Sequence, residues 1–206
     1  MAMAEIKKFT KSGVISKNYA LKKYPECFST WGRRSWTWDN ICRYADLTED
    51  FIREFADEVN WWLISRYQNL SENLIREFAG RVYWNAISMF QKLSEDFIEE
   101  FADSLDLLSI SGFQCLSEDF IRKYADKVFW PRISKQQLSE DFIEEFADRV
   151  DWHTISMAQC LSEDFIRKFA NRVDWIMIFK YQRLSKDFVK EYAEKVYESL
   201  SGFEAS

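Results

Sequence analysis

The chain has 206 residues, 47% of them hydrophobic and 17% aromatic, with only 5 Gly and 2 Pro, which excludes a disordered or loop-dominated polymer. Its net charge is −6, and no apolar run approaches the roughly 20 residues that cross a bilayer, so the expectation is a soluble cytoplasmic protein without a secretory leader or membrane contact. Cys27, Cys42, Cys115 and Cys160 lack metal-ligand spacing and His153 is the single histidine, so no metal, cofactor or catalytic constellation is expected.

The head of the chain, residues 1–37, reads as a divergent basic cap with its own helices. Residues 1–46 hold nine Lys or Arg against four Asp or Glu, a net of +5, and Lys7, Lys8, Arg33 and Arg34 are the candidates for steering an acidic partner. Trp38, Ile41 and Tyr44 return as Trp61, Ile64 and Tyr67, so a tandem array opens at residue 38 and continues to residue 206 as one domain. A phrase of the type Leu-Ser-Glu-Asp-Phe-Ile then begins at Leu47, Leu70, Leu93, Leu116, Leu138, Leu161 and Leu184, stepping by 23 residues except for 22 between Leu116 and Leu138. Units this short cannot bury an apolar face alone and must stack. The expected fold is all-α, an elongated α-solenoid of about seven two-helix repeats of 22–23 residues.

In the repeat from Leu138 to Cys160, Ser139 caps a helix A of about eleven residues, with Glu140 and Asp141 in its first turn and Phe142, Ile143, Phe146, Ala147 and Val150 as its buried stripe. Asp151 caps a helix B of about eight residues, Trp152 to Gln159. The recurrent alanines of helix A, such as Ala125 and Ala147, and the recurrent serines of helix B, from Ser65 to Ser156, read as small residues at close helix contacts. Cys115 and Cys160 share one place two repeats apart, too distant for a disulfide, and read as packed thiols. The unit beginning at Leu184 loses the Trp and gains lysines, as a polar terminal cap would.

Residues that recur serve folding, so function is sought where repeats differ. The recurrent tryptophans (Trp38, Trp61, Trp84, Trp130, Trp152, Trp175) share a phase with core isoleucines and read as packing rather than as a base-stacking ladder. Gln68, Gln91, Gln114, Gln137, Gln159 and Gln182 read as hydrogen-bonded junctions. The departures are Tyr83 and Phe129 in place of a capping Asn or Asp, and the apolar Trp62, Leu63, Leu108, Ile176 and Met177 at variable positions of helix B. Either they form an exposed binding patch, or the curvature of the array buries them. Trp62, Tyr83, Leu108, Phe129, Ile176 and Met177 are the candidate partner-binding residues. His153 reads as a solvated side chain. Helix A pairs such as Arg122-Lys123, Glu144-Glu145 and Arg167-Lys168 alternate in sign, so neighbouring repeats can pair their charges. Beyond residue 46 there are 19 basic and 30 acidic residues, a net of −11, which makes nucleic acid an unlikely partner.

The phrase Leu-Ser-Glu-Asp-Phe-Ile, the Asp-Trp pair and the Tyr-Gln-x-Leu junction resemble the short degenerate repeats of proteins from giant DNA viruses and some bacteriophages. The resemblance spans roughly Trp38 to Tyr197 and carries no catalytic site with it. It implies a viral, non-enzymatic binding protein acting in the host cytoplasm on a host or viral protein, with an antagonist of a host antiviral factor as the first reading. A protein that sequesters a nucleotide-like small molecule is the alternative, and a structural virion or scaffold protein the third.

Overall fold

A computed structural model describes residues 15–32 and 34–193. Lys7, Lys8 and Arg33, and the end of the terminal repeat, lie outside the described residues. No β-strand occurs among the described residues, and the fold is an all-α solenoid. It divides into two compact units, Met1–Ser109 and Ile110–Ser206.

In the first unit, α1 (Lys17–Lys23) and a 3₁₀ turn (Pro25–Phe28) precede the repeats. Helices B and A then alternate as α2 (Trp38–Tyr44), α3 (Glu49–Glu54), α4 (Trp61–Tyr67), α5 (Glu72–Glu77), α6 (Trp84–Phe90) and α7 (Glu95–Glu100), and the division falls within α8 (Leu107–Phe113). The second unit continues with α9 (Glu118–Lys123), α10 (Trp130–Ile133), α11 (Glu140–Glu145), α12 (Trp152–Ala158), α13 (Glu163–Lys168), α14 (Trp175–Tyr181) and α15 (Lys186–Glu191).

Every helix A starts at a Thr or Ser whose hydroxyl accepts an N–H three residues on, as Ser139 does from Phe142 at 3.2 Å, with acidic side chains in most of the first turns against the helix dipole. The regular part of helix A is six residues rather than about eleven. In the fifth repeat the α-pattern stops at Phe146 (φ −109°, ψ 29°), and the chain continues in tightened turns, with the Arg149 N–H bonded to the Phe146 carbonyl at 2.8 Å. Helices this short are marginal by themselves. Burial holds them: Ile41, Ile64 and Ile87 in the first unit and Ile133, Ile155 and Ile178 in the second are fully buried, each contributing about 1.5–3 kcal/mol. The core is shared between repeats, for Ile143, Val150 and Ile155 of one pack with Phe165 of the next.

Three polar devices lock one repeat to its neighbour. Gln91 Nε2 donates to the carbonyls of Ser65 (2.9 Å) and Gln68 (2.8 Å), while its Oε1 accepts from the Leu70 N–H (3.0 Å). The Oγ of Ser65 accepts the Tyr83 N–H at 3.0 Å. Glu72 at the start of α5 accepts the Ser94 N–H at 2.6 Å. The second unit repeats the set with Gln159, Ser156 and Glu140. Among the described residues no buried side-chain N or O lacks a partner.

Several expectations change. The serines are fully or almost fully buried, and beyond being small they act as acceptors for the next repeat. The alanines lie half-buried in the turn after helix A, where the Ala125 carbonyl accepts from Trp130 Nε1 (3.0 Å) and from Arg149 (2.9 Å). Ala147 and Phe146 are likewise only half-buried, whereas Phe142, Ile143 and Val150 are core. In the 22-residue repeat the junction is made by Gln136, not Gln137: its amide reaches the Ser111 and Gln114 carbonyls and the Leu116 N–H. Counting back two residues from the next Leu, instead of forward from the Trp, finds it. Cys27 and Cys42 are buried free thiols, but Cys115 and Cys160 are exposed rather than packed.

Candidate docking face

Each recurrent Trp packs its ring on an aromatic residue of the following helix A, as Trp61 does on Phe78 and Trp152 on Phe169, with centroids 4.7 and 5.0 Å apart. The indole N–H of Trp61, Trp130, Trp152 and Trp175 is held by an alanine carbonyl, at 2.8 Å for Trp61 and Trp152. These rings are framework, with no free face lined up for a ligand.

The departures fall into two groups. Trp62 on α4, Tyr83 before α6, Leu108 on α8 and Phe129 before α10 are exposed, Tyr83 and Leu108 by more than half (53% and 58%). Tyr83 and Phe129 occupy N-cap positions without a side-chain cap bond, whereas Asn60 and Asp174 at the same place accept two N–H groups each. Ile176 and Met177 on α14 are half-buried, and Leu63 is buried, so the stack covers Leu63 fully and the other two in part. Trp62, Tyr83 and Leu108 belong to the first unit; Phe129, Ile176 and Met177 belong to the second. Among the described residues no ring contact joins Trp62 to Tyr83.

Trp62 is surrounded by residues that recur from repeat to repeat. The last residue of helix B is aromatic in three successive repeats of the first unit, Tyr44, Tyr67 and Phe90, and all three are exposed. An arginine stacks on each, coming from the segment or helix before it. Arg34 lies 4.8 Å from the Tyr44 ring centroid, Arg43 5.3 Å from Tyr67, and Arg66 4.5 Å from Phe90. Arg66 also lies 5.7 Å from the Trp62 ring, one helical turn away on α4. Met89, next to Phe90 on α6, is exposed as well. The guanidinium planes and rings therefore form one staircase, each exposed cation–π step being worth about 0.5–1 kcal/mol.

Arg34 is the one steering candidate that the structure describes. Its guanidinium is pinned by the carbonyls of Trp31 (2.8 Å) and Thr30 (3.3 Å), which fixes it as the first step. Arg43 and Arg66 make no ion pair among the described residues. The repeated Arg-Tyr pair, Arg43-Tyr44 and Arg66-Tyr67, is the signal in the sequence that could have found this surface.

The other clusters of titratable groups are structural. In the head, Glu54 accepts the hydroxyls of Tyr19 and Tyr24 and the Lys23 ammonium, the last at 2.7 Å. Burial pushes the Glu54 carboxyl up, but the bonds from Lys23, Tyr19 and Tyr24 outweigh it and hold the group down to about 2. Such a carboxylate is a poor proton acceptor and a good anchor for α1 on α3. His153 is not simply solvated: its Nδ1 lies 2.7 Å from the Asp174 carboxylate of the next repeat. Burial opposes ionisation of Asp174, yet the His153 bond and the Met177 and Ile176 N–H groups keep its pKa lowered. Among the described residues no group of side chains could hold a metal ion, and no helix is long and apolar enough to cross a membrane. No family model, no curated protein and no solved structure matches the chain.

Proposed function

We propose that this chain is a non-enzymatic binding protein that docks on an acidic protein surface through the helix-B face of its first unit. The observation that supports this most is the contrast in partners among the arginines of that unit. Arg53, Arg76 and Arg81 on the helix-A side are each neutralised by carboxylates at 2.6–3.0 Å. Arg43 and Arg66 lie over rings instead and make no ion pair among the described residues. Rigid arginine and aromatic side chains, already ordered, lose little entropy on binding and are the residue types that dominate interface energies. Carboxylates of a partner would supply the missing counter-charges, and Trp62, Tyr67, Phe90 and Met89 the apolar contact. The resemblance to viral repeats puts a host antiviral factor first among acidic partners, with inhibition by occlusion as the mode of action.

The test is affinity recovery from host cells of the wild-type chain beside two charge reversals. Arg43→Glu with Arg66→Glu should abolish retention of the wild-type partner while leaving the fold intact. Arg149→Glu, an ion-paired arginine of the second unit, should retain it. Equal retention by both variants, or a wild-type partner without an acidic surface, would overturn this docking face.

A further inference from the structure

The array is interrupted once, where one residue is missing between Leu116 and Leu138. Its consequence is confined to the second unit. Helix α10 is four residues long instead of the seven of α12 and α14, and the chain, one residue shorter, runs on from it in tightened turns, with the Lys135 and Gln136 N–H groups bonded to the Arg132 (3.1 Å) and Ile133 (2.9 Å) carbonyls. At the penultimate place of helix B, the repeats carry Arg43, Arg66, Met89, Met157 and Lys180, but α8 carries Gly112. A Cβ there would touch Arg132 at Cγ and Cδ (3.6 Å) and at Nε (3.7 Å), so the Arg132 stem lies along the bare backbone of Gly112. The result is a depression of about 480 Å³, lined by Gly112, Phe113, Cys115, Arg132, Lys135 and Gln137.

Three properties of this depression point to one ligand chemistry. Arg132 and Lys135 make no ion pair among the described residues, and no carboxylate lines the site in a chain whose net charge is −6. Phe113 exposes 54% of its surface beside them, without a ring or cation on its face among the described residues. The wall is braced, for Gln136 ties the Ser111 and Gln114 carbonyls (3.2 and 3.1 Å) and the Leu116 N–H (2.9 Å) together. We propose that the depression is a binding site for a mononucleotide, with the base on the Phe113 ring and the phosphate between Arg132 and Lys135. Aromatic faces accept any base, a guanidinium matches phosphate geometry, and a volume of this size suits a small ligand. The site is independent of the docking face of the first unit.

The experiment is calorimetric titration of the full chain with AMP, adenosine and inorganic phosphate. AMP should bind at least about tenfold more tightly than either fragment, because only AMP engages both the ring and the cations. Gly112→Met restores the residue found at the equivalent Met89 and Met157, so it should fold normally yet fill the depression and weaken AMP binding by at least about tenfold. AMP bound no better than phosphate, or not at all, overturns the proposal, as does unchanged AMP affinity in Gly112→Met. Should that variant fail to fold, Arg132→Gln on the exposed side chain decides: a loss of the advantage of AMP over adenosine supports the site, and an unchanged affinity overturns it.

Discussion

Arg76 and Arg66 stand ten residues apart in the first unit and are engaged in opposite ways. Arg76 meets Glu100 of the next repeat at 2.7 Å, and among the described residues Arg66 meets the rings of Trp62, Tyr67 and Phe90 and no carboxylate. The helix-A arginines Arg53, Arg76 and Arg81 are paired with carboxylates; Arg43 and Arg66 of helix B lie over rings and make no ion pair among the described residues. A surface of the first kind offers a partner little, since its charges would have to be unpaired before they could be used. A surface of the second kind is prepared for a partner and contributes little to folding. The same division separates the junction residues, which every stacked repeat needs, from the staircase beside them.

The largest effect should come from a junction that lies directly under the staircase. Gln91→Leu removes the partner of two carbonyls and one N–H, those of Ser65, Gln68 and Leu70, and leaves them buried. Each unsatisfied buried group costs about 1–3 kcal/mol, so a loss of at least about 3 kcal/mol in urea unfolding is expected. Ser65→Ala strands one N–H, that of Tyr83, and should cost about 1–2 kcal/mol. A small effect of both would mean that the stack is held by apolar burial alone.

Acid should next act on the head before it acts on the staircase. Glu54 has a folded pKa near 2, below the roughly 4.3 of an unfolded glutamate. Its contribution is therefore complete above about pH 4.3 and lost as pH falls toward 2. Tyr24 is pushed up to about 12 by burial and the Glu54 bond, so its contribution is present below about pH 10 and lost as pH rises through 12. Protection of the α1 amides, measured relative to intrinsic exchange at each pH, should fall at both ends of this window, and Glu54→Gln should abolish the acid dependence. A fall in protection unaffected by Glu54→Gln would assign the acid response elsewhere.

These differences explain which features the sequence could reveal. A periodic phrase discloses the repeat, the Ser caps and the buried Phe-Ile pairs, because each is imposed by local helix chemistry and recurs in every unit. It also identifies glutamine as the junction, although the missing residue shifts the count and hides Gln136 behind Gln137. Tyr67 and Phe90 escape notice for the opposite reason. They recur, and recurrence is read as packing, whereas their rings end helix B at the rim, exposed to solvent and each met by an arginine from the helix before. Whether a repeated aromatic is core or rim depends on where its short helix stops. Helix A illustrates the same limit, because its α-geometry ends at Phe146 although the apolar period runs on to Val150.

The smallest effects bear most directly on the two arginines. Arg76→Ala breaks an exposed ion pair that also contacts the Phe97 ring at 4.9 Å, and exposed pairs are worth about 0–1 kcal/mol. Arg66→Ala removes a cation that stacks on Phe90 at 4.5 Å, a contact worth about 0.5–1 kcal/mol at an exposed site. On stability alone the two substitutions should be nearly indistinguishable, and salt is what separates them. Raising ionic strength screens the Arg76–Glu100 attraction over a Debye length of about 8–10 Å, so the difference between wild type and Arg76→Ala should shrink from low to high salt. The Arg66 contact is an attraction between a charge and a quadrupole at short range, and it has no counter-charge to screen, so the difference for Arg66→Ala should stay constant. A double-mutant cycle between Arg66 and Phe90 should likewise give a salt-independent coupling, while the cycle between Arg76 and Glu100 fades. If the Arg66 effect were to fade with salt as steeply as the Arg76 effect, Arg66 would have a carboxylate partner in solution, and its charge would not be free for an acidic surface.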